Sequence, residues 1–194
     1  MFDGKIVNQI VAVNNKGFIG KDGHLMWHNK EDLKNFKDIT MWNALVVGRK
    51  TLDTLPSAVN KGRVLIPVSR SGNSVEEALQ KASDIANKNT IFVIGGAEIY
   101  KETEKYTDFI LLSRIDDDQE GDSSFQVSED FELKETIQYE TFTLEIHQRK
   151  VINPLELFFA ANSAQENEKV SKAFDYILDV DITFDEREGN KNDK

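Results

Sequence analysis

Strand-like and helix-like apolar segments alternate along the first 150 residues, and this alternation limits the folds open to the chain. Five segments have the pattern of buried strands, at residues 5–13, 43–48, 63–69, 90–96 and 108–115. Two strictly alternating segments follow, at residues 131–139 and 141–149. Alternating strands and helices favour a parallel sheet, and strict apolar–polar alternation favours half-exposed antiparallel strands. The sequence therefore predicts a three-layer α/β fold with a mostly parallel sheet and an antiparallel C-terminal edge.

Local signals place several elements within this pattern. Residues 30–40 are predicted to form a helix, and another begins at Ala97. Ser74 and Glu77 have the spacing of a capping box at the start of a helix. Pro67 lies inside a strand pattern and predicts an edge strand or a bulge, because proline cannot donate to a sheet.

Composition excludes several kinds of chemistry. The 194 residues include no cysteine, so thiol catalysis, disulfides and cysteine-ligated metals are impossible, and three scattered histidines predict no metal site. A formal net charge of −10 argues against broad nucleic-acid or anionic-membrane binding. No apolar run approaches the roughly 18 residues of a membrane span, and residues 1–13 lack a signal-peptide pattern. We expect a cytoplasmic protein.

Two strand–glycine–helix junctions carry a possible phosphate site. Residues 46–51 read VVGRKT, and residues 93–100 read VIGGAEIY. Backbone N–H groups at a helix start attract phosphate, although each junction taken alone could be a glycine turn with solvated cations. Together with SRS at residues 69–71, they favour a dinucleotide, and the extra cations favour NADPH over NADH.

One carboxylate is placed unusually. Asp32 falls on the same helix face as Leu33 and Phe36, five residues after Trp27. A buried unpaired carboxylate is costly, although Glu31 and Asp32 could merely complement the positive helix start. An aromatic ring and a carboxylate in an apolar pocket suit a flat, nitrogen-rich heterocycle, whose N–H and amino groups can pair with one carboxylate. The predicted pKa of Asp32 is raised while the pocket is empty.

These residues, in this order, resemble the dihydrofolate reductase family from about residue 5 to residue 149. The matching segments are IVAV at 10–13, GFIGKDGHLMW at 17–27, EDLKNFK at 31–37, VVGRKT at 46–51, VIGGAEIY at 93–100 and EGDSSF at 120–125. The resemblance implies an eight-stranded sheet and NADPH-dependent reduction of 7,8-dihydrofolate to 5,6,7,8-tetrahydrofolate. Hydride would reach C6 while N5 is protonated, a step of one-carbon metabolism and nucleotide biosynthesis.

The resemblance also implies roles for particular residues. Asp32 would bind the pterin and favour protonation of N5 through water held by Trp27 and Ser113. The implied substrate-binding residues are Ile10, Val11, Asp32, Leu33, Phe36, Leu55, Arg63, Ile94, Tyr100 and Ser113. The implied cofactor-binding residues are Ala12, Ile19, Gly20, Gly48, Arg49, Lys50, Thr51, Ser69, Arg70, Gly95, Gly96, Ala97, Ile99 and Tyr100. Among these, Arg63 would clamp the glutamate α-carboxylate, and a cis peptide would join Gly95 to Gly96.

The chain departs from the family pattern at two places. Met26 stands where the family usually has proline before the tryptophan, which removes a φ restraint from the mobile loop. Residues 55–62 lack the usual proline–glycine turn, so this part of the substrate wall is less well defined. Gly121 and Asp122 are retained, and we expect their loop to brace the mobile loop.

Residues 151–194 lie beyond the resemblance and carry half of the net charge. Their sequence predicts an acidic extension with an amphipathic helix that packs on its own domain or supports a homodimer. PLELFF at 154–159 resembles sliding-clamp peptides. Two other functions stay open: a pyrimidine reductase of the riboflavin pathway, and a reductase-like binding or structural protein that acts through this extension.

Overall fold

The computed structural model of the chain describes residues 1–86 and 90–151. In these residues the strands are β1 (Ile6–Val13), β2 (Phe18–Gly20), β3 (Ala44–Gly48), β4 (Val64–Val68), β5 (Thr90–Val93), β6 (Phe109–Ile115), β7 (Ser123–Ser124), β8 (Phe131–Gln138) and β9 (Phe142–Arg149). The helices are α1 (Lys30–Thr40), α2 (Arg49–Thr54), α3 (Val75–Ile85) and α4 (Ala97–Thr103), with 3₁₀ turns at Ser57–Asn60 and Glu104–Tyr106. Met1–Lys150 form one compact unit.

The main sheet confirms the predicted α/β class. Its strand order is β4-β3-β5-β1-β6-β9-β8. The first five strands pair in parallel, and β9 pairs antiparallel with both β6 and β8. Pro67 lies in β4 at one edge, as the missing N–H of proline requires.

The sheet has seven strands in the described residues rather than the expected eight. Beyond β4, the only pairing described is a single parallel bridge between Val68 and Asn73. The turn that follows β4 is tight, since the Ser69 N–H donates to the Asn73 carbonyl at 3.1 Å. Ser74 then begins the capping of α3, so the backbone leaves the sheet edge after one residue.

Helix α3 begins at the predicted capping box. The Ser74 hydroxyl accepts from the Glu77 N–H at 3.2 Å, and the Glu77 carboxylate accepts from the Ser74 N–H at 2.8 Å. Both bonds satisfy helix-end donors that have no partner within the helix. The buried face of α3 consists of Val75, Ala78, Leu79, Ala82 and Ser83.

Apolar clusters cover both faces of the sheet because adjacent strand residues point to opposite sides. On β1, Val7 and Val11 belong to the larger cluster, which also contains Leu79 of α3. Ile10 belongs to the second cluster, against which Phe36 of α1 packs. Strand β1 is therefore the buried centre of the three layers.

A separate two-stranded sheet joins two loops. Strand β2 follows β1 and pairs antiparallel with β7, with Phe18 opposite Ser124 and Gly20 opposite Ser123. This pairing holds the segment after β1 against the segment after β6.

The predictions for residues 152–194, including the amphipathic helix, homodimer contact and clamp peptide, lie outside the described residues. In the described part of the chain, no helix is both long and apolar enough to cross a membrane.

Replacing Leu79 by alanine tests the packing of α3. Leu79 is fully buried, so Leu79→Ala should lower the free energy of unfolding by about 2–5 kcal/mol. Ile85 on the same helix is 46% exposed, and Ile85→Ala should change it by less than about 1 kcal/mol. Urea unfolding followed by circular dichroism measures both, and equal losses would contradict the described face of α3.

Candidate active site

The predicted site residues meet at the carboxyl ends of the parallel strands. Ala12 on β1 lies opposite Ser113 on β6. Gly48 at the end of β3 donates its N–H to the Gly95 carbonyl at 2.6 Å. Ligands in open α/β sheets bind beyond these strand ends, so the topology brings both predicted half-sites to one edge.

Helix α1 presents the acid from its first turn. The Asn29 side chain caps the helix and accepts from the Glu31 and Asp32 N–H groups, each at 3.0 Å. The Glu31 carboxylate accepts from the Thr141 N–H at 2.9 Å and from its hydroxyl at 2.8 Å, and these bonds lower the pKa of Glu31. Glu31 thus fastens α1 to the turn between β8 and β9, while Asp32 is directed elsewhere.

Asp32 is buried, with 9% of the residue exposed. Burial raises the pKa of the Asp32 carboxyl because a low-dielectric surrounding disfavours the charged form, and a hydrogen bond with Ser113 partly offsets this. Ser113 is itself buried on β6. Among the described residues, the carboxylate therefore lacks a cationic partner of the kind that would lower its pKa.

The Trp27 ring adds an unused donor. It packs against the cluster of Ile115, Phe142 and Leu144. Its Nε1–H is buried and has no hydrogen-bond partner in the described structure. Buried polar groups are nearly always paired, so this donor indicates a place for water or a ligand group.

An apolar wall accompanies Asp32. Ile10 and Ile94 are buried in one cluster, with Phe36 and Leu55 packed against it. Leu33 was expected to point inward, but it is 40% exposed. Residues 32 and 33 lie about 100° apart around a helix, so burial of Asp32 leaves Leu33 at the rim.

Two predicted substrate-binding side chains are engaged within the protein. Val11 packs in the cluster on the opposite face from Ile10, which leaves only its backbone facing the site region. The Tyr100 hydroxyl donates to the Ile10 carbonyl at 2.7 Å. Burial raises the pKa of Tyr100, so this hydroxyl keeps its proton.

Arg63 is positioned by the backbone around it. Its Nη1 donates to the Val59 carbonyl at 2.9 Å and its Nη2 to the Lys37 carbonyl at 3.4 Å. The guanidinium lies 5.4 Å from the centre of the Phe36 ring, and its buried Nε has no partner in the described structure. The Val59 carbonyl lies in the 3₁₀ turn within residues 55–62, and the Lys37 carbonyl lies in α1.

The two glycine junctions form one cradle. A Cβ at Gly48 would lie 2.9 Å from Ile99 Cγ1 and 3.3 Å from the Gly95 carbonyl oxygen, so no side chain fits there. The Gly95–Gly96 peptide is cis, as expected. A Cβ at Gly96 would meet the Thr51 hydroxyl at 3.1 Å. Helices α2 and α4 both begin at this cradle.

The remaining cofactor candidates differ in how free they are. Arg49 pairs with Asp53 at 3.2 Å along α2, whereas Lys50 and Arg70 are exposed.

The other cofactor candidates lie in turns or at the ends of elements. The Ser69 carbonyl accepts from the Gly72 N–H, within the turn after β4. Ile19 packs partly buried against the larger cluster, and Gly20 lies on β2. Ala97 is the first residue of α4.

The loop after β6 braces the loop after β1, as expected for Gly121 and Asp122. The Asp122 carboxylate accepts from the Asp22 N–H at 2.8 Å, and its N–H donates to the Gly20 carbonyl at 3.1 Å. A Cβ at Gly121 would lie 2.5 Å from the Gly20 carbonyl oxygen, which explains the glycine.

Sequence reasoning missed two residues in this region. Asn14 is buried at the end of β1, and its side-chain oxygen accepts from the Lys16 and Phe18 N–H groups. Gln119 donates from its side chain to the Met26 carbonyl at 3.1 Å. A polar residue ending a buried strand could have indicated Asn14, but no local pattern indicated Gln119.

A cleft of about 720 Å³ lies beside Trp27, with Glu31, Lys34, Ile115 and Thr141 among its lining residues. Asp32 does not line it. This cleft is thus separate from the face of α1 that carries the buried carboxylate.

Comparisons with known proteins identify relatives of this chain. A family model described as "Dihydrofolate reductase" matches residues 6–151. Dihydrofolate reductase type 9 of Escherichia coli is 34% identical over 137 residues, which cover 63% of this chain and 77% of that protein. Dihydrofolate reductase of Mycoplasma genitalium is 30% identical over 157 residues, which cover 73% of this chain and 96% of that protein.

A solved structure gives the same result. Dihydrofolate reductase from Enterococcus faecalis, complexed with NADP(H) and RAB-propyl, superposes with a TM-score of 0.65 at 28% identity. The match covers 77% of this chain and 99% of the other. With the family model spanning most of the chain, these likenesses show that the chain belongs to the dihydrofolate reductase family.

Proposed function

We propose that this chain catalyses the NADPH-dependent reduction of 7,8-dihydrofolate to 5,6,7,8-tetrahydrofolate. The observation that carries the proposal is the Asp32 carboxylate, which is buried at the strand ends without a cationic partner among the described residues. A pterin offers this carboxylate an N–H and an amino group, which form a charge-assisted pair of hydrogen bonds. A substrate of this kind supplies the missing partner.

Trp27 and Ser113 assist the acid. The unpartnered Trp27 Nε1–H donates to a water, and the Ser113 hydroxyl holds the carboxylate in place. Asp32, with its raised pKa, then favours protonation of N5 through that water. General acid–base help of this kind contributes about 10²–10⁴ in rate.

The glycine cradle fits the dinucleotide. The backbone is uncovered at Gly48, Gly95 and Gly96, where a side chain would collide with its neighbours. Helices α2 and α4 begin directly after Gly48 and Gly96. The phosphates, including a 2′-phosphate, would be held by Lys50, Thr51, Ser69 and Arg70. NADPH bound there supplies the hydride for C6.

Arg63 and the apolar wall hold the rest of the substrate. Ile10 and Ile94 would present backbone carbonyls to the pterin, and Phe36 would pack against the ring system. The Arg63 guanidinium, oriented by the Val59 and Lys37 carbonyls, clamps the glutamate α-carboxylate. Burial lowers the pKa of Arg63, but an arginine stays charged at any physiological pH.

The wider biological setting remains a prediction from the sequence. It comprises a cytoplasmic location, a role in one-carbon metabolism, and a monomer or a homodimer formed through residues 151–194. Division of the chain into a catalytic part, 1–150, and an extension is part of the same proposal.

Asp32→Asn tests the proposed acid directly. The variant keeps the shape of the side chain but neither ionises nor supports proton transfer, so kcat/KM at pH 7 should fall about 10²–10⁴-fold. Partial recovery is expected in acid, where N5 is already protonated. Dihydrofolate-dependent NADPH oxidation, followed by absorbance, measures both effects.

Lys134→Ala serves as the control for that experiment, because Lys134 pairs with Glu132 on β8. A wild-type protein that binds NADPH but leaves dihydrofolate unreduced would overturn the substrate assignment. Turnover of a ribosylated pyrimidine would then support the riboflavin-type alternative.

Arg63→Met tests the glutamate clamp. Loss of a charge-assisted pair should raise KM for dihydrofolate about tenfold or more while kcat changes little. A dihydropterin without the benzoylglutamate group should show the same KM with both proteins. Steady-state kinetics with the two substrates checks this, and a rise in KM for the truncated substrate would contradict the assigned role.

Asp32 should also destabilise the empty protein at neutral pH. The pKa of Asp32 is raised in the folded protein, so the folded protein binds the proton more tightly than the unfolded chain does. Stability therefore falls as pH rises from the unfolded-state pKa of Asp32 through its folded-state pKa. Asp32→Asn should therefore be more stable than wild type at pH 7, with the gain vanishing below the unfolded pKa of about 4.

Asp38 on the same helix provides the opposite control. Its hydrogen bond with Lys34 lowers its pKa, so Asp38→Asn should lose stability at pH 7 and converge with wild type in acid. Thermal unfolding from about pH 3 to pH 8 measures both variants across the window in which these carboxylates titrate. A common direction of change for the two would refute the assignment to Asp32.

A further inference from the structure

One side chain of the loop between β6 and β7 holds the segment just before Trp27. Gln119 Nε2 donates to the Met26 carbonyl at 3.1 Å and to Asp117 Oδ2 at 2.8 Å. A side-chain amide has two hydrogens to donate, so both are used. Met26 directly precedes Trp27, and the bond therefore fixes the peptide that carries the indole.

Gln119 is itself held in place. Its N–H donates to Asp117 Oδ1 at 3.0 Å, and its carbonyl accepts from Asn14 Nδ2 at 2.8 Å. Asn14 is buried at the end of β1 and also donates to Asp117 Oδ1 at 3.2 Å. Because the backbone of Gln119 is already anchored to the sheet, its side chain loses little further freedom on bonding to Met26.

The bond adds an attachment next to Trp27 to the contacts that already join the two loops. Asp122 holds the early part of the loop after β1, at Gly20 and Asp22. Gln119 holds the late part, at Met26. Both ends of the segment between Gly20 and Trp27 are thus tied to the loop after β6.

Methionine at position 26 leaves its own φ free, whereas a proline there would restrict φ by its ring. We propose that Gln119 is a positioning residue, whose anchored amide restrains the Met26–Trp27 peptide and keeps Trp27 packed against Ile115, Phe142 and Leu144. The indole Nε1–H then stays buried where the reaction uses it.

Hydrogen exchange of the Trp27 indole N–H tests this without any ligand. Exchange of a buried N–H requires local opening, so its rate is proportional to the open population. Loss of one hydrogen bond should raise the rate about 2- to 10-fold in Gln119→Ala. Gln119→Glu keeps the size but lacks the N–H donor and turns a carboxylate toward Asp117, so it should raise the rate at least as much as the alanine variant.

Two controls separate this effect from general loosening. Gln80 on α3 bonds to Asp84 and Asp3, and Gln80→Ala should leave the Trp27 exchange rate unchanged. The amide of Val46 in β3, which is fully buried, should keep its wild-type exchange rate in every variant.

Rescue by proline is the decisive arm. Met26→Pro adds a separate restraint on the same segment, through φ, so adding Gln119→Ala to it should raise the exchange rate less than about twofold. An unchanged rate in Gln119→Ala, or an equal rise with and without Met26→Pro, would overturn the proposal. NMR at matched pH and temperature resolves the indole signals of Trp27 and the exposed Trp42.

The kinetic consequence rests on the proposed function. Gln119→Ala should lower kcat/KM for dihydrofolate about 2- to 10-fold, and Met26→Pro should reduce that loss. A kinetic effect that Met26→Pro leaves unchanged would contradict the positioning role. A protein without reductase activity would refute the proposed function, while the exchange measurements would still decide the role of Gln119.

Discussion

Burial of the Asp32 carboxylate is the constraint on which the site depends. Capping by Asn29 and the attachment of Glu31 to Thr141 fix the first turn of α1, so that Asp32 faces inward. The empty protein bears the cost of a desolvated acid, since Ser113 offsets it only in part. A site that is destabilised when empty gains by binding the group that pairs with the acid, which links stability to recognition.

Local placement of charge matters more here than the total. The net charge of −10 opposes binding of an anionic dinucleotide at long range. Close to the strand ends, however, open backbone at Gly48 and Gly96 and the helix starts of α2 and α4 offer N–H groups at short distance. Arg63 likewise acts through orientation, since two backbone carbonyls direct its guanidinium.

Hydrogen bonds and close backbone contacts join the loops around the site. Gly121 lies so close to the Gly20 carbonyl that a larger residue would separate the loops. Asn14 joins the end of β1 to the loop after β6 from a buried position. Segments joined by exposed hydrogen bonds open locally more readily than a buried core does.

The amino-acid sequence by itself determined the fold class, the capping box of α3, the edge position of Pro67 and the unusual acid at residue 32. Each depends on local periodicity or on the chemistry of one residue type. Only the tertiary structure decided that the sheet has seven strands in the described residues, that Leu33 lies at the rim, and that Val11 packs on the opposite face. It alone brought Gln119 to Met26, 93 residues away along the chain. Such contacts depend on how distant segments meet, and a single sequence carries no local signal of that meeting.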